Sequence, residues 1–271
     1  MMRISIITIN FNNLQGLKET VTSVIEQTYN NKEMIVIDGG SIDGSAEYIE
    51  ANKDKFSYSV SEKDNGIYNA MNKGVKHATG NYVIFMNSGD CFFNESVIAD
   101  VFHTIDNNYD IIYGSTLCRT SDNTAWLRRP HDLSVMKTNR ISAICHQSAF
   151  IRTKLMKDVG YDERYRILAD YDFFFKCYLR GCSFHEIYKI VSVYDVTGVS
   201  ASSKSRHLSY IEQCLIHGLQ PSELEYIKRQ FIGKLKQIVR NVLPLSIKQK
   251  YQRLPNGYQE QHPLSYFKQM E

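Results

Sequence analysis

The sequence predicts an α/β fold built on a mostly parallel sheet flanked by helices, with a helical C-terminal appendage. Three observations carry this reading. Short β-branched runs alternate with segments of helical periodicity through the first half of the chain. The runs are apolar almost throughout, as strands covered on both faces are. Each run stops at polar, small or acidic residues, and open parallel sheets bind ligands beyond those carboxyl ends.

The elements follow in order. "ISIITI" lies in an expected strand over 3–10 that halts at "NFNN", after which Leu14, Leu17, Val21, Val24 and Ile25 recur at helical spacing. "EMIVID" contains a second strand, 34–38, stopped by "GGSIDGS", and Ala46, Ile49 and Glu50 open the next helix. "YSVSE" is a weaker strand within 57–62. "GIYNAMNKGVKHA" is a helix ended by Gly80, and "YVIFMN" is a strand over 82–87. A helix in "ESVIADVFHTI" and a strand in "DIIYGSTLC" come next. The stretch 119–140 is polar, lacks periodicity and carries the single tryptophan, Trp126, so it reads as a long functional loop. Trp126 suits either a sugar face or the core. "ADYDFFFKCYLRG" is a helix closed by Gly181. The expected organisation is one domain over 1–205, with a nucleotide half at 1–90 and a second half at 91–205, and a helical basic region over 206–271.

Composition narrows the function. At 271 residues the chain can hold one large α/β domain with an appendage. A net charge of +3 makes no case for nucleic acid. The basic excess sits in the tail, where 228–253 holds eight Lys or Arg and no Asp or Glu. Six scattered cysteines without a C-x-x-C pair read as reduced thiols of a cytoplasmic protein. The start "MMRISIITINFNN" reads as a strand rather than a secretion signal. No window reaches the ~18 apolar residues of a membrane span. "GGSIDGS" lacks the G-x-G-x-x-G spacing, and the first strand–helix turn, "TINFNN", has no glycine, which argues against a dinucleotide site. No P-loop, G-x-S-x-G elbow or zinc spacing occurs.

Five stretches, in this order, carry the candidate chemistry: "TINFNN", "VIDGGSIDGS", "EKDNGIYNAMNKG", "FMNSGD" and "YDERYRILADYDFFFKCYLRG". Together they resemble the family 2 glycosyltransferases, over about residues 3 to 200. The resemblance implies a GT-A-like fold and sugar transfer from a nucleotide sugar, UDP-linked by expectation, to a glycan or lipid-linked acceptor in surface polysaccharide synthesis. It implies that Asp38 meets the base, with Thr8 and Asn10 near the nucleotide and Asp64 in its pocket. Asp38 as a turn cap and Asp43 as a helix cap are the plainer alternatives. Asn69 follows on the next helix; Lys73 there either meets a phosphate or is merely solvated.

The family usually writes the end of the 82–87 strand with two or three acids, in a D-x-D pattern. Here Asn87 and Gly89 stand at positions often acidic, and Asp90 is left to hold Mn²⁺ or Mg²⁺ with phosphate oxygens. Gly89 lets the backbone approach phosphate, and Asn87 can offer a neutral oxygen. The family's catalytic base is the second residue of a Glu-Asp pair; here the pair is Ala169-Asp170, with Asp172 as the alternative base. Residues two apart do not share a helix face, so one of them at most can serve. His146 is an acceptor-side candidate or a structural histidine, and Arg164 and Arg166 either bind an acidic acceptor or lie on the surface.

In the tail, Phe231, Ile232, Leu235, Ile238, Val239, Val242 and Leu243 recur at helical spacing among basic residues. Such a helix suits a membrane surface, giving a peripheral place on the inner face of the cytoplasmic membrane through 228–253, or packing on the enzyme. Two rival readings are a non-catalytic sugar-nucleotide-binding protein and, with less support, a nucleotidyltransferase.

Overall fold

The computed structural model describes residues 2–103, 105, 108–120, 124–196, 203–242 and 261–267, with backbone alone at 203, 204, 236–242, 264 and 265. Along the chain the strands are β1 (Ile4–Asn10), β2 (Lys32–Asp38), β3 (Tyr58–Ser61), β4 (Tyr82–Phe85), β5 (Cys91–Phe92), β6 (Ile111–Arg119), β7 (Thr124–Arg128), β8 (Ala149–Arg152), β9 (Phe184–Asp195) and β10 (His262–Pro263). The helices are α1 (Leu14–Ile25), α2 (Ser45–Ala51), α3 (Ile67–His77), α4 (Val97–Phe102), α5 (Val135–Thr138), α6 (Thr153–Val159), α7 (Ala169–Leu179), α8 (Ser203–Ile216), α9 (Glu223–Val242) and α10 (Leu264–Phe267). Residues 243–253 of the basic stretch lie outside the described residues.

Two compact units emerge: 1–118 with 128–195, and 119–127 with 196–271. The division thus falls before residue 196 rather than after 205, and residues 119–127 belong with the C-terminal unit.

In the first unit β1 lies between β2 and β4, and β3 continues outward from β2, all parallel. Beyond β4 the sheet turns antiparallel: β8 pairs with β4 and with β6, and β5 pairs with β9. Within the parallel part, β1, β2 and β4 are the nearly continuous apolar strands. All of β1 is buried, as is β2 after Lys32. Ile4, Ile6, Val36 and Ile84 pack with Leu17, Val21 and Val24 of α1. On the opposite face α3 approaches closely, because a Cβ at Gly74 would collide with the Ile7 side chain.

The structure departs from expectation at several elements. The supposed loop 119–140 contains β7 and α5. β7 pairs with β10, Ala125 opposite His262. β5 and β9 were not expected either. In β9, His185, Glu186 and Lys189 interrupt the apolar residues, and Tyr188 points to solvent. No helix among the described residues is long and apolar enough to cross a membrane.

At the amino ends of the strands, buried Glu33 gathers Ser5 Oγ (2.6 Å), Thr79 N (2.7 Å), Thr79 Oγ1 (3.0 Å) and Gly80 N (3.0 Å), with the Arg3 guanidinium 3.0 Å away. Burial alone would raise its pKa, but the donors from Ser5 and Thr79 and the charge of Arg3 outweigh it and hold the carboxyl below its usual value. A carboxylate with a lowered folded-state pKa stabilises the fold above the unfolded value and loses that contribution as pH falls through the folded one. Glu33→Ala is therefore expected to cost about 3 kcal/mol at neutral pH, from orphaned buried donors. In urea unfolding series, the gap to the parent protein should shrink below about pH 4.

Candidate active site

The carboxyl ends of β1, β2 and β3 meet at Asp38. This side chain is fully buried. Its Oδ1 accepts from Asn10 Nδ2 (2.7 Å) and Ser41 Oγ, and its Oδ2 from Ser61 Oγ (2.6 Å), Ser41 N (2.9 Å) and Gly40 N (3.2 Å). A carboxylate offers about four lone-pair sites, and these donors occupy them. Asp38 thus ties three strand ends together. Burial would raise its pKa, and the hydrogen bonds from Ser41, Ser61 and Asn10 overcome that and lower it. Asp43 is a cap, accepting from Leu14 N at 2.8 Å and from Ser45 N and Oγ.

Beside this tie two buried acceptors, Thr8 Oγ1 and Asn10 Oδ1, have no partner in the protein among the described residues. Asp64 accepts from Gly66 N (2.8 Å) and lies against Gly39, where a Cβ would come 2.7 Å from Asp64 Oδ2. Asn69 Nδ2 donates to Glu163 (2.9 Å), and the Lys73 ammonium pairs with Glu62 (2.8 Å). Arg164 forks onto Asp162.

The loop after β4 is clamped by α1. Thr20 Oγ1 is 2.7 Å from Asp90 O and 3.1 Å from Asn87 O, and accepts from Gly89 N at 3.0 Å. Asn13 Nδ2 donates to Ser88 O at 3.1 Å. Gly89 adopts φ +99°, which favours glycine. The Asp90 carboxylate is buried, accepting from Asp195 N (3.1 Å) and Gln147 Nε2 (3.2 Å). Burial pushes its pKa up to about 7, with the Asp195 charge adding to the rise. A Cβ at Gly89 would lie 3.8 Å from Asp195 Cβ and 3.9 Å from its Oδ2. A second acid, carried by β9, thus stands beside the glycine that replaces an acid in the loop. Asn87 Oδ1 and Ser88 Oγ are buried without a partner among the described residues.

Asp170 opens α7. Its Oδ2 is 2.8 Å from His146 Nδ1; its Oδ1 is 3.0 Å from the Tyr68 hydroxyl and accepts from Tyr171 N at 2.8 Å. His146 Nε2 faces Asn87 Nδ2 at 3.4 Å. The amide nitrogen can only donate, so these partners assign the imidazole proton to Nδ1, donating to Asp170. Burial would raise the Asp170 pKa, but the His146 hydrogen bond, with Tyr171 N and Tyr68, lowers it. Asp172 points elsewhere, buried and paired with Lys176 at 2.6 Å. Tyr68, Gln147, Thr20 and Asp195 escaped the sequence reading. Gln147 adjoins His146 and could have been noticed, whereas Asp195 is brought in by the pairing of β9 with β5 and β6.

The residues fit a divalent cation completed by substrate rather than a protein cage. Among the described residues no group of three His, Cys, Asp or Glu is placed to hold a metal. Asp90, Asp195 and the orphaned Asn87 oxygen are nevertheless a hard-oxygen set of the kind that shares a cation with phosphates.

Comparison with known proteins first gives the class. S. aureus TarS 1–349 in complex with UDP-GlcNAc superposes with a TM-score of 0.62 at 18% identity, over 90% of this chain and 77% of that one. The mannosyltransferase PcManGT from Pyrobaculum calidifontis in complex with GDP-Man and Mn²⁺ gives 0.55 at 20% identity, over 79% and 61%. The fold is therefore that of nucleotide-sugar transferases of the GT-A type. The family follows directly: the chain belongs to glycosyl transferase family 2, whose model matches residues 5–180. It is also similar to an uncharacterised glycosyltransferase of Mycobacterium tuberculosis, 34% identical over 203 residues, 73% of this chain and 77% of the relative. A PGL/p-HBAD biosynthesis glycosyltransferase of Mycobacterium bovis is 33% identical over 184 residues, 64% and 69%.

If Asp38 ties the strands, Asp38→Ala lowers the stability of the ligand-free protein by about 3 kcal/mol. A base-reading role predicts unchanged thermal unfolding and weaker nucleotide binding instead.

Proposed function

We propose that this glycosyltransferase is inverting, takes its sugar from a UDP-sugar, and delivers it to a hydroxyl of a glycan or lipid-linked acceptor in surface polysaccharide synthesis. The observation that carries the reading is the chain Asn87–His146–Asp170–Tyr68, which joins the end of β4 to an ionised carboxylate. UDP as the donor's nucleotide is favoured by the TarS likeness, and the acceptor class by the relative assigned to PGL/p-HBAD biosynthesis.

In this mechanism Asp170 accepts the acceptor hydroxyl's proton while that oxygen bonds the anomeric carbon and the carbon–diphosphate bond breaks on the opposite face. His146 and Tyr68 orient the carboxylate and keep it ionised. Thr8 Oγ1 and Asn10 Oδ1 supply unused acceptors for the nucleotide, Asp64 lines its pocket, and Gly89 admits the phosphates. Asn69 and Lys73 would reach the donor only by leaving Glu163 and Glu62. Asp90 and Asp195 would hold Mn²⁺ or Mg²⁺, which when bound supplies Lewis-acid stabilisation of the departing diphosphate. A cytoplasmic place agrees with the six free cysteines.

Asp170→Asn is expected to lower turnover by about 10²–10⁴-fold with donor affinity nearly unchanged, measured by single-turnover transfer and by titration calorimetry. Intact function in that variant would favour the non-catalytic binder. Asp90→Ala and Asp195→Ala should each weaken Mn²⁺-dependent UDP binding. UDP affinity indifferent to both Mn²⁺ and these substitutions rules out the metal assignment. A panel of UDP-, GDP- and dTDP-sugars, scored for hydrolysis, checks the nucleotide.

A further inference from the structure

In the C-terminal unit α9 is turned the wrong way for an ordinary surface helix. A helix of a globular protein normally packs its apolar stripe inward and leaves its charged side in water. Here the contacts with α8 come from the polar and aromatic side. The Tyr226 ring lies 5.3 Å from Tyr210 and 4.5 Å from His207, and His207 Nε2 is 3.0 Å from Glu223. The Arg229 guanidinium sits over the Tyr210 ring at 5.2 Å and donates to Gln213 at 3.1 Å. Tyr226, Arg229 and Gln230 are the half-buried residues of the helix between 223 and 235. At 3.6 residues per turn they occupy one side. Leu224, Ile227, Phe231 and Leu235 form a stripe on the other, with Ile232 at its margin, and all five are 50–69% exposed.

Charge distinguishes what this stripe meets. Lys228 and Lys234 lie on its two flanks by helical register, and the acids of α9, Glu223 and Glu225, are confined to the first turn. Both Glu223 and Glu225 are already engaged, by His207 and Arg229. An outward apolar stripe between lysines matches a surface that is apolar beneath and anionic on top. A second copy of the helix would instead bring like charges together around the apolar contact.

We propose that α9 docks the protein on an anionic lipid bilayer, with Leu224, Ile227, Phe231 and Leu235 entering the acyl boundary and Lys228 and Lys234 at the headgroups. The proposal rests on α8 and α9 alone, so it stands or fails separately from the reading of the active site.

The test is flotation of the full chain with vesicles of phosphatidylcholine alone and of phosphatidylcholine mixed with phosphatidylglycerol. The protein should float with the mixed vesicles and not with the neutral ones, and added salt should weaken the binding. The exposed pairs F231S/L235S and K228E/K234E should each reduce binding at least about tenfold, each kcal/mol-scale loss per residue multiplying. K53E/K55E, in the other unit, should not change it. Circular dichroism and donor hydrolysis without vesicles should match the parent in all variants. Absence of flotation, equal flotation with neutral vesicles, or parent-like binding by both α9 variants would overturn the proposal. So would a dimer in sedimentation that F231S/L235S dissociates, which would assign the stripe to a second copy.

Discussion

Three parallel strands buried on both faces, β1, β2 and β4, allow almost no polar side chains along their length, because each would need a hydrogen-bond partner inside the core. Polar chemistry is therefore pushed to the strand ends, and in the first unit the carboxyl ends of β1 to β4 collect it. Asn10, Asp38, Ser61 and the loop from Asn87 to Asp90 occupy neighbouring ends for that reason. Placing the site at this edge leaves the interior free to be uniformly apolar, and the loops are then shaped by hydrogen bonds from adjacent elements. Thr20 illustrates this: a buried hydroxyl on α1 meets two carbonyls and one amide of the β4 loop.

The same constraint separates acids that look alike in sequence. Asp38, Asp90, Asp170 and Asp172 all stand near element ends, yet their surroundings differ. Asp38 has every oxygen filled by short donors. Asp90 has one donor on each oxygen, lies next to Asp195 and carries a pKa raised to about 7 by burial. Asp170 keeps a lowered pKa through His146, whereas Asp172 is spent on Lys176. A buried carboxylate with full compensation holds structure together, and one with incomplete compensation is available for a cation or a proton.

Much of this was legible in the sequence. The alternation of elements and the apolar strands follow from periodicity and turn residues, and the order of five motifs put Asp90 and Asp170 at element ends. What escaped was set by long-range pairing. β7 pairs with β10 far along the chain, and β9 hides its strand character behind His185, Glu186 and Lys189. With β9 went Asp195, so the loop after β4 reads from sequence as short of an acid that the fold supplies from elsewhere. An acid at a strand end looks the same in sequence whether its oxygens are open or filled, so the tie that Asp38 makes across three strand ends was not legible.

One strand shows a further use of buried charge. Met34, Ile35, Val36 and Ile37 are apolar on both faces of the sheet, so their hydrophobicity cannot distinguish β2 in its proper alignment from β2 slid along by a residue. Glu33 and Asp38 can. Each is hydrogen-bonded to the β1 residue directly across from it, Ser5 and Asn10 respectively. A slip would strand two buried carboxylates, one at each end, away from their donors. In this strand the alignment of the sheet is written by electrostatics, and the apolar residues between supply adhesion without address.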